Sequence, residues 1–257
     1  MYEKWKGVHT RCAFNMIQEL IPLTRPRTLA AALGPTILGA AFSYYAFGAA
    51  QGTGLAILHT VLIFLAVVTA QIVANLWNEY KDFKSGLDAG QKVGNAGSIT
   101  RGVITPELII TMIKVLMFVP IIIGLYLSAT ITWYYIPVGF LCILISFLYS
   151  GGPKPISRTP FGEISSGIAM GFAIVLITGY AWIRELSLAL LIPAIPSTLL
   201  VGSIMLTNNI RDIRNDESHG RHTLPIVLGR ERALSLMSIS YIFNFIWIIA
   251  WIIVGHM

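Results

Sequence analysis

The feature that most constrains this 257-residue chain is a series of apolar runs about 20 residues long, two of which end in acidic, amide-rich stretches. That length is what a helix needs to cross the hydrocarbon core of a bilayer. With 55% hydrophobic and only 12% charged residues, the chain carries roughly half the charged fraction of a soluble domain. The reading is an all-α, polytopic membrane helical bundle of about seven spans, near 27–49, 55–82, 107–127, 131–150, 161–183, 186–212 and 233–255. Residues 1–24 form a polar segment ahead of the first span. The two cysteines, Cys12 and Cys142, lie far apart in unlike settings and imply neither a disulfide nor a metal site.

The basic residues set the expected orientation. Of the 18 Lys and Arg, all but Lys114 and Arg184 fall in alternate connections: the N-terminal segment and the loops after the second, fourth and sixth spans. The positive-inside rule puts these in the cytoplasm of a multi-pass cell-membrane protein. Both acidic motifs then open to that same side, and the C-terminus lies outside.

The first motif, Asn75, Asn78, Glu79 and Asp82, follows helical spacing i, i+3, i+4 and i+7 at the end of the second apolar run. The second places Asn208, Asp212 and Asp216 at i, i+4 and i+8, along one helix face beyond the sixth. Carboxylates at membrane depth are costly unless neutralised. Mg²⁺ is an economical partner, because it takes oxygen ligands, keeps some waters and bridges carboxylates to substrate phosphates. Lys84, Arg101, Lys154, Arg158 and Arg221 share that layer and can take phosphate charge. A diphosphate with a hydrocarbon tail suits such a site, its head at the rim and its tail among the spans. Each motif ends an even-numbered span and precedes a basic, Gly-containing loop. This weak internal symmetry sets the acids opposite each other across the bundle.

The stretch 75–88, Asn-Leu-Trp-Asn-Glu-Tyr-Lys-Asp-Phe-Lys-Ser-Gly-Leu-Asp, resembles the first Asp-rich motif of the UbiA superfamily of intramembrane prenyltransferases. The stretch 208–216 with the following 220–229 resembles the second. Arg25-Pro-Arg-Thr-Leu29, the loop 149–156 and the Gly162-Glu163 pair are similar to the branch that prenylates 1,4-dihydroxy-2-naphthoate in menaquinone synthesis. The resemblance implies a bundle around a central cavity open sideways to lipid. It implies that Asn78, Asp82, Asp212 and Asp216 hold Mg²⁺ against prenyl diphosphate, with Asp88 matching the trailing acid and Asn208 the leading amide. It places Arg101, Tyr149, Lys154 and Arg221 at the diphosphate, and assigns catalysis to Asp82, Asp212 and Asp216. The implied reaction ionises the diphosphate to an allylic cation, which an electron-rich ring attacks, with carboxylate loss in the naphthoate branch.

Glu79 stands where the family usually has Asp. The family fold has about nine spans against about seven here, the difference falling at the C-terminus. Other acceptors, 4-hydroxybenzoate or a glycerol lipid among them, and a non-catalytic membrane partner subunit stay open. A cation carrier is disfavoured because its acids would sit mid-span. The implied partners are prenyl diphosphate, a small aromatic acceptor and the bilayer; no nucleic acid and no redox or haem cofactor is expected.

Overall fold

In a computed structural model, residues 20–86 and 98–255 are described. A 3-10 turn, Pro26–Leu29, leads into α1 (Ala30–Phe47). There follow α2 (Thr53–Ser85), α3 (Pro106–Thr130), α4 (Tyr135–Ser150), α5 (Gly162–Ile183), α6 (Leu191–Ser218), the short α7 (Leu224–Leu228) and α8 (Arg230–Gly255). Among the described residues six helices are long and apolar enough to cross a membrane, and α4 is a shorter apolar helix of 16 residues. The expected fourth span loses its first turn. The Ile131 N–H closes α3 on Leu127 O, and the chain turns through Thr132 to Tyr134 before α4 begins.

Helix length explains why the acidic motifs stand clear of the apolar layer. The 33 residues of α2 extend about 50 Å, well beyond the roughly 30 Å of hydrocarbon. Its last three turns, from Asn75 on, therefore carry polar side chains without a membrane penalty. Gly86 ends it in the left-handed region (φ 73°), donating its N–H back to Asp82 O and Phe83 O. Likewise α6 does not stop at Asp212 but runs on to Ser218, so the whole second motif is helical and its i, i+4, i+8 alignment is real. At the end of the loop that follows α2, Thr105 caps α3 by accepting from the Leu108 N–H at 3.2 Å, with Pro106 and Glu107 in the first turn.

Two devices hold the second half of the bundle. The first is close backbone approach. Around Gly167–Phe172 the ladder of α5 widens into a π-helical turn that faces α6. A Cβ on Gly167 would stand 2.5 Å from Thr198 O, and one on Gly171 2.6 Å from Thr198 Cα. Ser197 Oγ donates to Gly171 O at 3.2 Å across this seam. In lipid, where apolar surface gives helices no reason to associate, such close packing and interhelical bonds do the work. The second device begins with Pro196 inside α6. Proline has no N–H for the carbonyl four residues earlier, Ile192 O, and the Trp247 indole N–H of α8 donates to it at 3.0 Å. A vacancy in one helix thereby becomes the anchor of the next.

At the motif end, Val73 and Leu76 of α2, Ile109 and Ile113 of α3, and Leu23, Ile99 and Ile104 from the connections form one buried cluster. It fixes the rotation of α2, and hence the direction in which Asp82 points.

These contacts generate two expectations. Gly171→Val should destabilise the protein by about 1–3 kcal/mol through overpacking, read as a lower unfolding temperature in detergent or bicelles. Trp247→Phe should cost roughly 1 kcal/mol, and less when combined with Pro196→Ala, whose restored N–H takes over the Ile192 carbonyl. Equal costs in both backgrounds would contradict the anchor.

Candidate active site

The two motifs meet. Arg221, in the loop after α6, reaches Asp82 of α2 with Nη2 at 3.2 Å from Oδ1, and Asp216 of α6 with Nη1 at 3.3 Å from Oδ1. All three side chains are shielded, at 14%, 13% and 4% exposure, so the guanidinium offsets two carboxylates that water barely reaches. The arginine is itself held at the backbone, its N–H on Asp216 O at 3.0 Å, and the next residue donates its N–H to Arg158 O at 2.9 Å. The charges of Asp212 and Asp82 both act on Asp216, which places the three acids in one electrostatic neighbourhood. This is the opposed arrangement that the weak internal symmetry called for.

Asp212 is more open. It is 43% exposed and takes a fork from its neighbour Arg211, Nε to Oδ1 at 2.8 Å and Nη2 to Oδ2 at 2.7 Å. Asn78 and Asn208 are half-buried, each one turn before an acid of its motif. The donors on both helices are oxygens, which suits a hard divalent cation. Among the described residues no three of His, Cys, Asp and Glu stand close enough together to hold a metal ion. The arginines are the present counterions of these carboxylates.

Around the acids lies a second set of polar groups. Glu163, at the start of α5, is buried and accepts from Asn209 Nδ2 at 2.8 Å, while its other oxygen has no partner among the described residues. Tyr149, half-buried at the end of α4, lies within reach of the charges of Glu163, Arg221 and Arg25. Gly162 packs beside its hydroxyl, where a Cβ would make ordinary contact with Tyr149 Oη at 3.5 Å. Arg25 is held in the left-handed region (φ 49°, ψ 63°), a conformation that costs a non-glycine residue about 1 kcal/mol or more. Two side chains of α2 sustain it. Asn75 Nδ2 donates to Thr24 O at 3.0 Å, and Gln71 Nε2 to Thr28 O at 2.7 Å.

Of the residues singled out in the sequence, Asp82, Asp216, Arg221 and Tyr149 converge, with Asp212 at the rim. Arg101 is exposed on the turn after residue 97, where Nη2 donates to Ser98 Oγ at 3.2 Å, and Lys154 is exposed in the loop after α4. Asp88 lies outside the described residues. Glu79 is buried and accepts the Ser98 N–H at 2.7 Å, so it braces the loop that leads to α3. The sequence marks Arg25, Glu163 and Asn209 only as members of the resembling stretches, with no role for any of them at the site. The contact between Glu163 and Asn209, 46 residues apart, left no local trace.

Residues 32–257 match the model of the UbiA prenyltransferase family. The 1,4-dihydroxy-2-naphthoate octaprenyltransferase of Bacillus subtilis is 37% identical over 94% of this chain and 76% of its own length. The protein of the same name from Mycobacterium tuberculosis is 31% identical over 90% and 79%. The fold is also that of a UbiA homologue from Archaeoglobus fulgidus bound to DMAPP and Mg²⁺, with TM-score 0.64 and 17% identity over 89% of this chain and 76% of that one. A homologue from Aeropyrum pernix gives TM-score 0.66 and 20% identity over 90% and 80%. By motifs, fold and family match together, this chain is a member of the UbiA prenyltransferase family, enzymes built inside the membrane.

Proposed function

We propose that this chain transfers a polyprenyl group from its diphosphate to 1,4-dihydroxy-2-naphthoate, with a divalent metal, Mg²⁺, at the two motifs. The observation that carries the reading is the meeting of Asp82 and Asp216 on one guanidinium, which brings both acidic motifs to a single site. The naphthoate specificity rests on the relatives that bear that name. The distribution of Lys and Arg supports a cytoplasmic orientation for this end of the bundle.

Asn78, Asp82, Asn208, Asp212 and Asp216 are the ligands this chain offers a metal, and Asp88 follows the first motif closely enough to join them. Bound there, Mg²⁺ supplies positive charge to a departing diphosphate. The chain's own groups do the rest. Arg221 neutralises Asp82 and Asp216, and the same fork suits the phosphate oxygens of a bound diphosphate. Tyr149 and Arg25 line the approach, the hydroxyl as donor and the guanidinium as fixed charge, while Arg101 and Lys154 close over the diphosphate from the exposed loops. Stabilising the leaving group in a shielded site lowers the barrier to ionisation. The allylic cation is then attacked by the acceptor ring, and the apolar walls keep water from competing.

Transfer of a labelled prenyl group to 1,4-dihydroxy-2-naphthoate by the purified protein should require Mg²⁺ and stop with EDTA. Product from 4-hydroxybenzoate but not from the naphthoate would reject the acceptor and keep the class. Asp82→Asn and Asp216→Asn should each lower turnover by about a hundredfold or more while the protein stays folded. Full activity in either would overturn the site. Arg221→Gln strands two shielded carboxylates, so it should cost about 3 kcal/mol of stability as well as activity. Added Mg²⁺ should restore the unfolding temperature but not the turnover.

A further inference from the structure

A second charged feature of α2 takes no part in the acid site. Lys81, Lys84 and Ser85 follow at i, i+3 and i+4, a face turned about 100° from Asp82. With Ser150 and Arg158 they line a recess of about 250 Å³ between the end of α2 and the loop after α4. No carboxylate is among its lining residues, and among the described residues none of the three cations forms an ion pair.

The cations are not loose surface charges. Lys81 Nζ sits 4.9 Å over the Trp77 ring and Lys84 Nζ 5.6 Å over Tyr80. The two rings stack on each other at 5.7 Å, and the indole N–H of Trp77 donates to Phe147 O at 3.0 Å. The loop is drawn against this platform at Gly151, where a Cβ would lie 2.9 Å from Trp77 Nε1 and 3.2 Å from Lys81 Cε. Arg158 closes the other wall, and its carbonyl accepts the His222 N–H next to Arg221.

We propose that this recess is a phosphate-binding site, separate from the metal-dependent one and independent of the proposed transfer reaction. Three cations, the Ser150 hydroxyl and no acid among the lining residues suit a phosphate group with a few waters, while Ser85 Oγ donates to Asp82 O at 3.1 Å. The group is either the phosphodiester of an anionic lipid in the leaflet at this end or free phosphate. Occupancy ties Lys81 and Lys84 to Arg158, and so steadies the loop that carries Arg221.

The test uses the full chain, purified in detergent with EDTA. Inorganic phosphate is titrated by calorimetry, and phosphatidylglycerol is compared with phosphatidylcholine by native mass spectrometry. Saturable binding of phosphate, or retention of one phosphatidylglycerol over phosphatidylcholine, is expected, and which of the two occurs identifies the source. Lys84→Gln with Arg158→Gln should weaken it at least about tenfold. Ser85→Glu, at an exposed position, should do the same by placing a carboxylate in the recess. Asp82→Asn should leave it unchanged. Binding of neither probe, binding unaffected by both basic-site variants, or binding lost in Asp82→Asn would overturn the proposal.

Discussion

The guanidinium of Arg221 between Asp82 and Asp216 is the contact on which the motif end of this protein rests. Two shielded carboxylates from different helices repel, and desolvation makes each costly alone. One cation between them turns that repulsion into a clasp, so α2 and α6 can end side by side. The same geometry makes the clasp exchangeable. A fork suited to carboxylate is equally suited to phosphate, whereas a divalent ion can satisfy the carboxylates and nothing else nearby. The resting charge balance and the ligand-binding charge balance therefore use the same groups in different pairings.

Holding those groups still falls to contacts some distance away. Asp82 keeps its direction because Leu76 and Val73, one to three turns earlier, are locked in the cluster with Ile109 and Ile113. Glu163 meets Asn209 because the glycine seam lets α5 approach α6 to backbone contact. The π turn also re-phases α5, adding a residue to the turn so that its two ends present different faces than an unbroken α-helix would. Small residues, a widened turn and a proline vacancy thus replace the hydrophobic pressure that water supplies to soluble cores.

Much of this was legible in the sequence, because the deciding patterns are local. Apolar runs give the spans, and the i, i+4, i+8 alignment of Asn208, Asp212 and Asp216 required only that the helix continue, which it does. What escaped is non-local or conformational. The left-handed Arg25 depends on Gln71 and Asn75, more than 40 residues on. Nothing near Trp247 announces that its indole will find Ile192 O. The late start of α4 follows from how α3 closes on Leu127 O. Lys84 and Arg158 read as further phosphate contacts of the acid site, yet Lys84 lies on another face of α2 from Asp82. Arg101 and Lys154 were placed by their loops, and loops leave reach undetermined.

The separation between Asp82 and Arg221, 139 residues, has a bearing on how the chain is made. The first acidic motif is synthesised and its helix inserted long before the arginine that neutralises it emerges. Until then its carboxylates have only loop cations and water, and remain at the surface. The clasp between α2 and α6 therefore closes only after α6 has taken its place beside α2, and the site is assembled at that step.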